Sequence, residues 1–181
     1  IAWDDLEAVL LRATSDDAFY YLQIARTWVG GGPPSLDGET PTNGFHPLWL
    51  WLCALAWKAT GDPVRALHAA LTLGAAFGAA TTALTWAILR RLGAPAVAAL
   101  LAAALYGLHP YFATEATNGL ETSCAVFTIA LLTWLFVRTQ QGPGALPVRD
   151  GLTLGAAAGL MLLARTDSVF IWACMGTFLA A

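Results

Sequence analysis

Three apolar runs, 66 to 89, 94 to 112 and 122 to 137, follow one another along this chain with only short polar breaks between them. At about 1.5 Å per helical residue, roughly 17–25 residues are needed to cross a hydrocarbon layer of about 30 Å. The first two runs meet that length, and the third meets it once Leu120 and Glu121 sit at the interface. A fourth, 144 to 164, qualifies if Pro147 starts its helix, and 168 to 181 begins a fifth that is still in progress at Ala181. The first residue is Ile1, so the chain reads as a piece of a longer one. Composition agrees with a bilayer protein: 57% of the residues are hydrophobic and 12% charged, against about 45–50% and 25% in soluble domains. The expected fold is therefore an all-α integral membrane protein. An outer segment over 1–65 precedes about five transmembrane helices over 66–181, the last of them truncated.

The segment Pro47 to Thr60 reads differently. It is about 14 residues long, short of the span length. It also carries Lys58 and has Trp49, Trp51 and Trp57 near its ends. Tryptophan favours the headgroup level, so the segment is expected to lie along the interface.

Orientation follows from the arginines. Arg90 and Arg91 close one short loop, and Arg138 and Arg149 flank another, with only Asp150 opposing them. The positive-inside rule makes both loops cytoplasmic. Threading outward from them puts 1–65, 109–121 and 165–167 on the opposite side, which then holds every acidic residue except Asp150. The same threading keeps Pro47 to Thr60 outside, because 66–89 must run inward to end at Arg90.

The net charge of −3 includes no basic run, which argues against nucleic acid as a partner. Cys53, Cys124 and Cys174 each stand alone in an apolar segment and read as packing residues. Gly74/Gly78 and Gly155/Gly159 have the spacing that lets membrane helices approach closely, a spacing that so alanine-rich a chain also produces by chance. Gly30 to Pro34 should end the helix that begins at Asp16 and lead into a loop reaching Pro41.

Four polar islands interrupt this pattern. The first is Asp16-Asp17, preceded by Ser15 and opening an aromatic stretch to Arg26 whose membrane-facing side is Phe19, Tyr20 and Ile24. Ser15 as N-cap with two carboxylates in the first turn is a helix start, worth about 0.3–1 kcal/mol for each charge against the dipole. The aromatic face that follows would also press the helix to the membrane and hold the carboxylates near its surface, where acids usually do chemistry or bind a cation. The second island is Pro41 to Trp49, with His46 as a phosphate or metal ligand or a structural loop residue. The third holds Glu115, Asn118 and Glu121, one face if the stretch is helical. The fourth is Arg165-Thr166-Asp167, whose bland reading is a snorkelling arginine with an interfacial turn.

At these residues the chain resembles the GT-C glycosyltransferases, polytopic enzymes that use polyprenyl-phosphate-linked sugars at the outer face of the membrane. It looks closest to the bacterial aminoarabinose, arabinofuranosyl and protein O-mannosyl transferases. Their acidic pair in the first external loop, with its aromatic and Ile-Ala-Arg-like ending, is matched by Asp16-Asp17 through Ile24-Ala25-Arg26. Their proline-aromatic motif has its counterpart in His46-Pro47-Leu48-Trp49, their Gly-Leu-Glu-Thr element in Gly119 to Thr122, and their Arg-x-Asp element in Arg165-Thr166-Asp167. The match covers about residues 14 to 170. The lysine that aminoarabinose transferases carry beside a double proline has no counterpart near Pro47, and the family's first membrane helix and C-terminal half are not within this chain.

The resemblance implies a bacterial inner-membrane enzyme with an extracytoplasmic site. Its partners would be membrane lipid, a polyprenyl-phosphate sugar as donor, and a glycan, lipid or protein hydroxyl as acceptor. Alignment on Tyr21 and Ile24-Ala25-Arg26 makes Asp17 the base, with Asp16 the close alternative. Arg165, Asp167, His46, Asn118 and Tyr21 are the candidate substrate-binding residues. Glu121 and Glu39 are candidate ligands of a divalent metal such as Mg, Mn or Zn, which with Arg165 would meet the leaving phosphate. A transporter or flippase would use the same acids to relay protons or hold cations, but places them near the midplane on broken helices. A non-catalytic scaffold whose outer loop binds a partner is the third reading.

Overall fold

A computed structural model of the protein describes residues 14–140 and 146–180, the side chains of 179 and 180 excepted. The expectations for residues 1–13, for 141–145 of the second basic loop and for residue 181 lie outside the described residues. Among the described residues the fold is helical, and its one β-bridge joins Ser35 to Pro41. Eight α-helices run in order: α1 Asp16–Val29, α2 Pro47–Thr60, α3 Pro63–Arg91, α4 Ala96–Gly107, α5 Pro110–Ala116, α6 Thr122–Thr139, α7 Val148–Ala164 and α8 Val169–Ala180. A 3-10 turn, Thr166–Ser168, joins the last two.

Two helices, α3 and α6, are each long and apolar enough to cross a membrane. The pair α4 and α5 makes a third if it counts as one span, so among the described residues two or three candidate spans stand where about five were expected; α7, with 17 residues, and α8, with 12, are too short to join them. The candidate spans keep large apolar side chains on their outer surfaces, with Leu108 81% exposed and Leu105 74%. Such a surface belongs in lipid, since soluble monomers rarely leave contiguous apolar patches of this kind bare.

The run 94–112, expected as one span, is broken. Helix α4 has 12 residues and reaches only about 18 Å, and α5 leaves it at 60°. Pro110 has no N–H for a continued helix, and His109 starts the new one by accepting the Tyr111 N–H on Nδ1 at 3.2 Å.

Small residues set how closely the helices pack. A Cβ added at Gly74 would strike the Ala116 carbonyl oxygen, and one at Gly78 would lie 2.9 Å from Ala116 Cβ, so this glycine pair seats α5 against α3. The second pair, Gly155 and Gly159, faces open space and makes no such contact. One core gathers Tyr21, Ile24 and Ala25 of α1, Trp49, Leu50 and Cys53 of α2, Leu67 and Leu71 of α3, Cys124 of α6 and Ala164 of α7. A second joins Leu132 of α6 to Leu154, Ala158 and Met161 of α7. Cys53 and Cys124 are buried free thiols, whereas Cys174 is exposed.

The core claims two residues that the sequence pattern had assigned to the membrane surface. Ile24 is buried, because α1 turns Ala18, Tyr21, Leu22 and Ala25 inward at helical spacing and Ile24 lies at the edge of that stripe. Trp49 is fully buried, and its Nε1–H donates to the Gly119 carbonyl at 3.0 Å. Trp51 keeps the exposed position expected for all three tryptophans of this helix.

Helix α6 relates the two ends of the bundle. Glu121 is its N-cap and Arg138 lies in its last turn, about 26 Å away at about 1.5 Å per residue. At the far end the Arg91 and Arg138 guanidinium groups both stand over Trp134, at 5.6 and 5.9 Å from the ring centre. The two loops read as basic from sequence are thereby brought to the same end.

Candidate functional site

Helix α1 supplies the first wall of the site. Its buried stripe fixes Tyr21 inward, and one turn earlier Asp17 opens onto a cavity of about 550 Å³. Asp16 shares the exposed first turn but does not line the cavity. The expected Ser15 hydroxyl cap is not made; the Ser15 N–H instead donates to the Asn118 carbonyl at 2.9 Å. The two carboxylates keep their favourable place at the positive end of the helix dipole.

The second wall is the turn between α5 and α6. Glu115, Asn118 and Glu121 do not share a helical face, because α5 ends at Ala116. Asn118 is buried and holds the turn together. Its Nδ2 donates to Glu115 Oε2 at 3.0 Å, and its Oδ1 accepts from Leu120 N at the same distance. Gly119 has φ +83°, and a Cβ there would lie 2.7 Å from Ala18 Cβ. Only glycine fits a left-handed residue pressed this closely against α1.

Glu121, with its side chain 12% exposed, is where all four polar islands meet. Its Oε2 accepts a hydrogen bond from the Tyr21 hydroxyl at 3.2 Å. His46 Nε2 lies 3.5 Å from Oε1, and Arg165 Nη1 lies 4.0 Å from the same oxygen. The Tyr21 hydroxyl also accepts the His46 backbone N–H at 3.2 Å, which fixes the loop that brings His46 in. Burial, with the Glu121 charge adding to it, raises the Tyr21 phenol well above its ordinary value, so it stays protonated and donating. Arg165 terminates α7 in an extended conformation, and its Nε donates to Asp167 Oδ1 at 3.2 Å. Asp167 itself is exposed.

The cavity is completed by Tyr20 and Ile24 of α1, Asn43 to His46, Leu120 and Thr166. Its lining thus includes the exposed Asp17 carboxylate together with Glu121 and His46, while Arg165 reaches Glu121 without lining the cavity itself. Asn118 supports the wall without lining the cavity, and Glu39 sits in the 35–41 loop, also away from it. In that loop Asp37 Oδ1 accepts the Glu39 and Thr40 N–H groups at 2.9 and 2.8 Å, bonds that hold the Asp37 carboxyl below its usual range.

Among the described residues no three His, Cys, Asp or Glu side chains converge to hold a metal ion. Glu121 and His46 would give two donors, but Arg165 stands at the same carboxylate oxygen. The donor set therefore does not make a preformed metal centre.

The sequence pattern places Tyr20 on a membrane-facing surface and Asn43, Gly44 and Phe45 within the Pro41 to Trp49 island without making any of them a site residue, and it does not foresee the Trp49 to Gly119 bond. The clustering of Pro41, Asn43 and Gly44 was the available signal for a shaped loop. Compared with protein-family models, curated proteins and solved structures, the chain finds no match.

Proposed function

We propose that this chain carries the outer-face site of a GT-C-like membrane glycosyltransferase, which moves a sugar from a polyprenyl-phosphate donor to a hydroxyl of a glycan, lipid or protein. One observation carries the reading. Residues as far apart in sequence as Asp17, His46, Glu121 and Thr166 line one cavity, with Arg165 paired to Glu121, at the end of α6 opposite Arg138. By the arginine bias that end is extracytoplasmic, here across a bacterial inner membrane, with α2 along the interface.

In this mechanism the Asp17 carboxylate takes the proton of the acceptor hydroxyl while that oxygen attacks the anomeric carbon. The bond from that carbon to the donor phosphate oxygen breaks with inversion, and the polyprenyl phosphate leaves as an anion. Its charge is met by His46, which lines the cavity, and by Arg165, which stands beside the cavity at the Glu121 carboxylate. Glu121 holds both in place and is kept there by the Tyr21 hydroxyl. The break between α4 and α5 falls at Leu108 and His109 and carries no carboxylate, which favours surface chemistry over ion transport through a broken helix.

The test is transfer from a labelled polyprenyl-phosphate sugar by the complete protein in membranes. Asp17→Asn should lower turnover by about 10²–10⁴-fold, with insertion unchanged and stability lowered by no more than about 1 kcal/mol. Asp16→Asn should stay near the parent rate. If both variants retain near-normal transfer, or if the protein moves a solute without transfer, the reading is wrong.

A further inference from the structure

On the outer side of α1, away from the Asp17 cavity, a groove of about 300 Å³ runs between α1, α2 and the first turns of α3. Its walls are apolar, formed by Phe19, Leu22, Trp57, Val64 and Leu67. A single cation stands in it. The Arg26 guanidinium lies over the Trp57 ring, 5.9 Å from its centre, and meets no carboxylate among the described residues. The neighbouring Gln23 amide is turned aside, donating to the Leu36 carbonyl at 3.2 Å.

We infer that this groove binds an anionic phospholipid of the surrounding bilayer, with its phosphate on Arg26 and an acyl chain along the apolar walls. Two observations choose this occupant. Val64 and Leu67 belong to the opening turns of α3, one of the helices able to cross the membrane, so the groove opens where that helix enters the lipid. An arginine without a counter-charge beside a tryptophan is also the pairing that suits headgroup depth, where aromatic rings and cations meet phosphate. Charge then decides among lipids: a net-negative headgroup gains from Arg26 what a zwitterionic one does not. The occupied groove would brace α1 against α3 and so steady the helix that carries Asp17 and Tyr21. The site does not depend on sugar transfer.

The test is native mass spectrometry of the full chain, released from micelles containing equal phosphatidylglycerol and phosphatidylcholine. The parent protein should retain one phosphatidylglycerol in preference to phosphatidylcholine. Arg26→Gln should lose that preference by about fivefold, while Arg26→Lys keeps most of it and both variants melt like the parent without lipid. Equal retention of the two lipids, or undiminished preference in Arg26→Gln, would overturn the proposal. So would stabilisation by inorganic phosphate in lipid-free detergent that matches phosphatidylglycerol, which would assign the arginine to a free anion. A dimer lost in Arg26→Gln and insensitive to added lipid would assign the groove to a second copy of the chain.

Discussion

The Tyr21 hydroxyl donates to Glu121 Oε2 at 3.2 Å across a separation of 100 residues, and it accepts the His46 N–H from the loop between α1 and α2. One phenol thus ties three of the four polar segments of the candidate site, and Arg165 adds the fourth through Glu121.

Removing the acceptor should therefore separate folding from chemistry. Glu121→Ala leaves the buried Tyr21 hydroxyl without its partner and should cost about 1–3 kcal/mol in chemical denaturation. Glu121→Gln keeps a carbonyl for Tyr21 and should denature close to the parent, yet it loses the charge that faces His46 and Arg165 and should transfer sugar poorly. An alanine variant as stable as the parent would show that Glu121 does not organise the site.

The Tyr21 phenol also gives an alkaline signature. Burial first, then the Glu121 carboxylate, raise its pKa above the ordinary 10.0, while the His46 N–H acts in the opposite direction. At lower pH both folded and unfolded chains hold the proton, and the contribution is fully present. As pH rises past about 10 the unfolded chain releases its proton and the folded chain does not, so stability falls. Melting temperature measured above about pH 10 should decline less steeply for Tyr21→Phe than for the parent. Identical slopes would count against a buried, protonated Tyr21.

Two glycines should respond oppositely to one added methyl. At Gly119 the left-handed backbone and the Ala18 Cβ at 2.7 Å both oppose it, and Gly119→Ala should cost about 1–3 kcal/mol. At Gly155 the added Cβ meets nothing within 4 Å, and Gly155→Ala in mid-helix should be neutral or stabilising by up to about 1 kcal/mol. Thermal melts in one detergent decide both, and equal effects would contradict the seating of the 118–121 turn on α1.

Sidedness can be read directly by labelling. Asn43→Cys, in the cavity loop, should react with an impermeant thiol reagent applied to intact cells, and Gly93→Cys, in the turn after Arg91, should not. The reverse pattern would place the cavity in the cytoplasm, where a polyprenyl-linked donor of the outer leaflet is absent.

The sequence by itself determined most of the helices and several of their ends, but not the break that divides 94–112 into α4 and α5. Apolar run lengths marked α3 and α6, Pro47 and Thr60 bounded α2, and Gly30 ended α1, because these signals act within one or two turns of the chain. It also marked the residues of the four polar islands, since charge in an apolar chain stands out without any geometry. Only the tertiary structure decided which of them meet. Adjacent residues of a helix differ by about 100° in direction, so packing of the Tyr21 stripe against α2 and α3 is what turns Asp17 to the cavity and leaves Asp16 outside it. The two glycine pairs were equivalent as sequence, and the neighbour across the helix made one a contact and left the other open. Trp49 could sit at a headgroup or in a core by composition alone; the Gly119 carbonyl, from a turn remote in sequence, gave its indole N–H a buried partner and settled the matter.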